Sequence, residues 1–182
     1  MTSMLYHEGN RVFQDEFDSR RLADRLEEKL SRTAFSDDDK TFIESCIYGV
    51  PGFVRVTGPS ELAFPDYDGN GMFKSLGNLA VNPHVGLLFI SMHGSPKRLR
   101  INGIARIDRD DPLLLETIGA QLIVRVHVNV IFPNCPRYIP SMTLTEPSIY
   151  VPHAGVTPVE PAWKGFDAFR DVVPPRKEMN GE

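Results

Sequence analysis

Residues 66–75, Asp66-Tyr67-Asp68-Gly69-Asn70-Gly71-Met72-Phe73-Lys74-Ser75, form the stretch whose residue types and spacing could do chemistry. A glycine-rich turn leading into a helix can expose successive backbone N–H groups. Lys74 and Ser75 follow one turn further on, so an anionic group would find donors and a cation together. Asn70-Gly71 is also good turn chemistry, and turn statistics favour that plainer reading. Elsewhere the reactive types are scattered. His84, His93, His127 and His153 are isolated, and lone histidines do not make a metal site. Cys46 and Cys135 show no C-x-x-C or His/Cys spacing. Cys135, between two prolines, reads as a turn thiol, because a nucleophile needs a base beside it. No Ser/His/Asp arrangement is present, so no residue is assigned a catalytic role and no metal is expected.

The elements that must position this turn lie between Pro51 and Asp108. Val50 to Val56 and Glu61 to Phe64 read as a short strand pair around Thr57-Gly58-Pro59-Ser60. A helix is predicted from Asn70 to Val81, presenting Met72, Phe73, Leu76, Leu79 and Ala80 and stopped by Asn82-Pro83. Gly86 to Ile90 is apolar on both faces, which predicts a place in the middle of a sheet or at an interface. Arg98 to Asp108 holds a conflict: Asn102-Gly103 is a hairpin signal, yet alternation runs through it unbroken. Leu99, Ile101, Gly103, Ala105 and Ile107 share one face, while Arg98, Arg100, Asn102, Arg106 and Asp108 share the other. One long strand with a bulge at Gly103 is the expectation. Arg100 on the polar face can equally be plain solvated surface.

Around that centre, residues 1–17 lack periodicity and read as an arm. Leu22, Leu26 and Leu30 make a narrow helical stripe, and Ser36-Asp37-Asp38-Asp39 resembles the cap of a second helix that buries Phe42, Ile43, Cys46 and Ile47. The charges between those leucines read as a solvated face. Asp111-Pro112 opens a short helix closed by Gly119, and 122–131 alternates as a strand ended by Pro133. The remainder is proline-rich until a short amphipathic helix carrying Trp163, Phe166 and Phe169, where Trp163 serves at least as an anchor for the tail. The expected layout is one domain over 1–182: arm 1–17, helical lead-in 18–48, a strand-rich middle 49–142 (the segment that the resemblance given below makes a barrel) and C-terminal tail 143–182.

The 182 residues suffice for one core without staples. A net charge of −4 gives no general attraction to nucleic acid or to an anionic membrane. With two cysteines there is no disulfide framework, and neither an apolar leader nor a membrane-length run is seen. A cytoplasmic protein without nucleic-acid or membrane partners is expected.

PGFVRV, LAFPDYDGNGMFKSLGNLAVNPHVGLLF and LRINGIARI together resemble the pyridoxamine 5′-phosphate oxidase-related, FMN-binding family. VIFPNCPRYI and EPAWKGFDAF are similar to segments of an uncharacterised bacterial branch of it. The match runs roughly from Phe42 to Val173 and is specific only as a combination. It implies a mainly β fold, a six-stranded antiparallel split barrel with peripheral helices, and a homodimer with FMN at the subunit interface. By the resemblance, Phe64 and Pro65 mark the strand end that touches the flavin. Gly69, Asn70 and Gly71, with Lys74 and Ser75 behind them, fall where the oxidases hold phosphate. Arg98 and Arg100 lie on the strand passing ring and phosphate, and Trp163 and Lys164 lie in the segment that completes the site.

Two departures bear on this. The oxidases have a basic pair where Asn70-Gly71 stands. Relatives also carry a further hairpin before the PGFVRV strand, on the order of twenty residues at usual strand lengths, whereas here Tyr48 runs directly into Gly49-Val50-Pro51. Either this form has lost the hairpin or the natural chain carries it outside this sequence. The implied activity is that of an FMN-dependent oxidoreductase acting on a small molecule, since such enzymes leave the redox chemistry to the isoalloxazine ring. The alternatives are a non-catalytic protein binding flavin, haem or another planar ligand, and a cofactor-free dimeric split barrel.

Overall fold

The computed structural model describes residues 5–45, 52–91, 94–152, 154–156 and 159–173. The fold is mainly β: one antiparallel sheet of five strands in the order β1-β2-β5-β4-β3, with a few helices around it. The strands are β1 (Arg55–Gly58), β2 (Glu61–Tyr67), β3 (His84–Ser91), β4 (Lys97–Asp108) and β5 (Ala120–Pro133). Among the described residues β1 and β3 are the two edges, and the sheet does not close into a barrel.

The alternation expected for 98–108 and 122–131 is what the sheet uses. Leu99, Ile101 and Ala105 of β4 meet Val124, Val126, Val128 and Ile131 of β5 and Leu62 of β2 in one buried cluster. Asn102-Gly103 lies inside β4, where the pairing with β5 shifts register, so the tip of a hairpin is excluded. Close approach explains the glycine. A Cβ on Gly103 would stand 2.3 Å from the carbonyl oxygen of His127 and 2.9 Å from Val126 Cγ1.

The apolar run of β3 is not central; among the described residues it forms an edge paired only with β4. Its residues alternate in burial, and Leu88 stays 41% exposed on the outer side. A doubly apolar run does not distinguish a central strand from an edge whose outer face lacks cover within the chain.

Three helices precede the sheet. Residues 1–17 hold more than an arm, because α1 (Glu8–Glu16) folds back on α2 (Arg20–Leu30), with Arg11 Nη1 2.7 Å from Asp24 Oδ1. The Leu22, Leu26 and Leu30 stripe of α2 is exposed, and the residue of α2 that is buried is Ala23. α3 (Asp37–Ser45) begins as its cap predicts: Asp39 N donates to Ser36 Oγ at 3.2 Å and Ser36 N donates to Asp39 Oδ2 at 3.0 Å. Phe42 and Ile43 are buried in the core, while the expected burial of Cys46 and Ile47 and the strand start at Val50 lie outside the described residues. Arg32, ahead of α3, exchanges backbone hydrogen bonds with Ile131 and pairs its guanidinium with the buried Asp39 carboxylate.

The helix after the glycine turn is shorter than expected. α4 spans Lys74–Val81, so Met72 and Phe73 stand before it. Gly71 (φ 72°) and Phe73 (φ 46°) both adopt the left-handed region, which delays helix entry by a turn. Leu76 and Leu79 pack on the core. The segment opened by Asp111-Pro112 is a single 3₁₀ turn, Pro112–Leu115, capped by the Asp111 side chain. Around Trp163 the expected amphipathic helix reduces to another 3₁₀ turn, Ala162–Gly165.

Candidate functional site

β2 carries Asp66 and Tyr67 at its C-terminal end, and Asp68 and the Gly69-Asn70-Gly71 turn follow and lead on to α4. Asn70 Oδ1 accepts a hydrogen bond from Met72 N at 3.0 Å, so this side chain shapes its own turn. The C-terminal segment comes back over the turn, and Lys164 Nζ lies 2.5 Å from Asp68 Oδ2, joining positions 96 apart in sequence. Between the two runs a cleft of about 640 Å³, walled by Tyr67, Met72, Phe73, Trp163, Phe166 and Phe169. The rings of Trp163 and Phe169 meet edge to face, with centroids 6.0 Å apart and planes at 81°.

Five of the expected site residues thus meet at one place: Gly69, Asn70, Gly71, Trp163 and Lys164 all line this cleft. Phe64 and Pro65 do not. They line a neighbouring cleft of about 240 Å³ with Phe53 and Arg55, and Tyr67 is the wall shared by the two. Phe53 stacks at 6.3 Å from Phe64 and 5.7 Å from Tyr67, which fixes that end of β2. Lys74 and Ser75 open α4 and are exposed, outside the lining of the cleft.

Arg98 and Arg100 are far from the turn within one chain. Arg100 is opposite Phe132 of β5, whereas Asp66 is opposite Leu122 at the other end of the same strand. At about 3.3 Å of rise per residue, the ten steps from Leu122 to Phe132 span roughly 30 Å. Arg100 is exposed there, and Arg98 Nε is buried with no hydrogen-bond partner among the described residues.

The electrostatics of the cleft are local. Lys164 is the cation among the residues lining it, and Asp68 neutralises it at contact distance. Asp66 also lines the cleft. Its Oδ2 is buried without a hydrogen-bond partner among the described residues, and burial pushes its carboxyl above the usual range. The cleft is therefore an aromatic slot with one neutralised ion pair and one carboxyl that resists ionisation. That combination suits a flat, largely uncharged ring.

Asp66, Tyr67, Phe73 and Gln121 contribute to the cleft beyond the expected set. Gln121 is there because the β2–β5 register shifts between Asp66 and Tyr67, which pair with Leu122 and Ala120 and pass over Gln121. Only knowledge of the pairing could have found it.

A second cluster nearby is structural. Arg125 Nη2 lies 2.9 Å from Asp111 Oδ1, its Nη1 2.7 Å from Glu61 Oε1, and the Asp111 side chain is 1% exposed. The Arg125 hydrogen bonds hold the Asp111 carboxyl below the usual range, and Asp111 and Glu61 together raise that of Arg125. Among the described residues no group of three His, Cys, Asp or Glu could hold a metal ion, and no helix is long and apolar enough to cross a membrane.

A scan against protein-family models finds no match to this chain, and a search of curated proteins finds none either.

Proposed function

We propose that this chain is an FMN-binding flavoprotein of the pyridoxamine 5′-phosphate oxidase-related type, working as a homodimeric oxidoreductase on a small molecule. One observation carries the reading. The Gly69–Gly71 turn and the Trp163-Lys164 segment, which the family resemblance puts independently beside the flavin, converge on a single aromatic cleft. Its volume of about 640 Å³ lies inside the range of roughly 300–1,000 Å³ common for small-molecule sites. On this reading the five strands are the split barrel without its first hairpin.

The fit differs for the two ends of the cofactor. Tyr67, Phe73 and Trp163 offer faces for a ring, and the half-buried Asp66 places a carboxyl, raised by burial, beside them. The phosphate carries nearly two negative charges, and the lining provides only the Lys164 ammonium, already paired with Asp68. Arg98 and Arg100 of a second copy are the cations available to complete it, which is why the proposal requires a dimer. FMN, when bound, supplies a hydride-accepting ring; the chain's own task is to bind it, exclude water and orient the substrate.

The Lys164–Asp68 pair favours a second reading, a non-catalytic protein that holds a planar apolar ligand without a phosphate. The absorbance spectrum of the purified chain, followed by identification of the ligand released on denaturation, separates the two. Flavin bands and released FMN support the first reading, and a different chromophore supports the second. A spectrum that stays featureless after incubation with FMN and removal of the excess contradicts the first.

A further inference from the structure

Beside the aromatic cleft is a second hollow, of about 390 Å³, lined by residues of α4, β4 and β5. Leu76, Ala80, Ile107 and Leu122 give it apolar walls, and Phe73 and Gln121 are shared with the larger cleft. Gly77 lies in the α4 wall and is exposed, and a Cβ built there would meet nothing within 4 Å, so a larger side chain has room at the rim of the hollow. Two polar residues border it, Arg109 and Gln121. Neither makes a side-chain hydrogen bond or ion pair among the described residues, although Arg109 is flanked in sequence by Asp108 and Asp110. Asp108 is engaged by Arg106 at 2.6 Å and by the backbone of Asp110 at 3.0 Å.

We propose that this hollow is a binding site for a small apolar carboxylic acid. The hydrocarbon part lies against Leu76, Ile107 and Leu122. The carboxylate meets the Arg109 fork, whose paired N–H groups match a carboxylate's two oxygens, and accepts from the Gln121 amide. An apolar hollow with few polar groups of matching sign at its border is the usual build of a small-molecule site. Arg109 is exposed at the rim, so a neutral apolar ligand would make no use of its charge, and a polyanion would leave most of its charge against hydrocarbon. The site does not depend on flavin binding, since its walls are complete within one chain.

The test is isothermal titration calorimetry of the full chain, without added flavin, using 3-phenylpropionate and its neutral amide, 3-phenylpropanamide. The acid should bind saturably and roughly tenfold or more tighter than the amide, the usual weight of a charge-assisted contact. Arg109→Gln should bring the acid to the amide's level and leave the amide within about twofold. Gly77→Leu, whose added Cβ meets nothing within 4 Å and whose side chain crowds the rim of the hollow, should weaken both ligands by about tenfold or more. The absence of saturable acid binding to the unaltered chain overturns the proposal. So does equal affinity for acid and amide, or indifference of acid binding to either substitution while circular dichroism shows the variants folded.

Discussion

Lys164 Nζ lies 2.5 Å from Asp68 Oδ2, and the lysine side chain is only 9% exposed. This contact ties the C-terminal segment to the turn after β2 across one side of the aromatic cleft. It also neutralises the cation nearest to any anionic group that enters.

The first prediction follows from that neutralisation. Asp68→Asn should free the ammonium and raise affinity for FMN relative to riboflavin by about tenfold, since a hydrogen bond to a charged group is worth roughly 1.5–3 kcal/mol. Lys164→Met should shift the same ratio the other way. Parallel titrations with the two flavins measure it. An unchanged ratio in both variants would show that Lys164 holds the tail and does not read the phosphate.

If the phosphate grip spans two copies, Lys164 and Arg100 belong to different chains of one site. Lys164→Ala and Arg100→Ala should each weaken FMN by about 1.5–3 kcal/mol and weaken riboflavin much less. Mixing and re-annealing the two variants should then restore tight sites in the mixed dimers, because one of their two sites is intact. No recovery on mixing would place both residues in the same chain's site or in none.

Gly103→Ala should destabilise the fold strongly, because the added carbon meets main chain, the His127 carbonyl oxygen at 2.3 Å, and not a movable side-chain tip. Overpacking of this kind costs about 1–3 kcal/mol or more. Urea unfolding followed by circular dichroism gives the value, and a cost below about 0.5 kcal/mol, the spread of an ordinary surface change, would contradict the described register at the bulge.

The carboxylates predict opposite pH responses. Hydrogen bonds from Arg125 and Leu113 N hold Asp111 below its unfolded value against burial. Burial opposes ionisation of Asp39, yet the bonds from Arg32 and Ser36 prevail and lower it too. With folded values depressed, the unfolded state binds more protons. The stability these groups contribute is complete above the unfolded value near 4 and is lost as pH falls through the folded values. Asp66 is the reverse: burial raises it, so its contribution fades as pH rises past about 4. Urea midpoints should therefore drop steeply below about pH 4, less steeply in Asp111→Asn, which starts roughly 3 kcal/mol lower from the broken pair. Asp66→Asn should be more stable than the unaltered chain at pH 7 and lose that advantage toward pH 3. A midpoint independent of pH in that range would contradict the described pairing.

Local pattern made parts of this fold legible. Alternation through Asn102-Gly103 identified β4 and its bulge, Ser36 and Asp39 announced the start of α3, and Asn82-Pro83 the end of α4. What period cannot carry is placement. Alternation gives the face of Arg100 but not which end of the sheet it reaches, so its separation from the glycine turn was hidden. The apolar character of 86–90 reports a need for cover without saying who provides it. The turn and tail residues of the cleft were legible through the resemblance. Gln121 and Asp66 were not, because a bulge and a buried unpaired oxygen exist only once strands are in register.

Trp163 is the single tryptophan of the chain and a wall of the proposed flavin cleft, which gives the central claim a direct measurement. Titration of the purified chain with FMN, corrected for absorbance, should quench the tryptophan emission saturably, with one FMN bound per chain. Emission that declines only as far as the absorbance correction accounts for, with no saturation, would contradict an FMN site in that cleft.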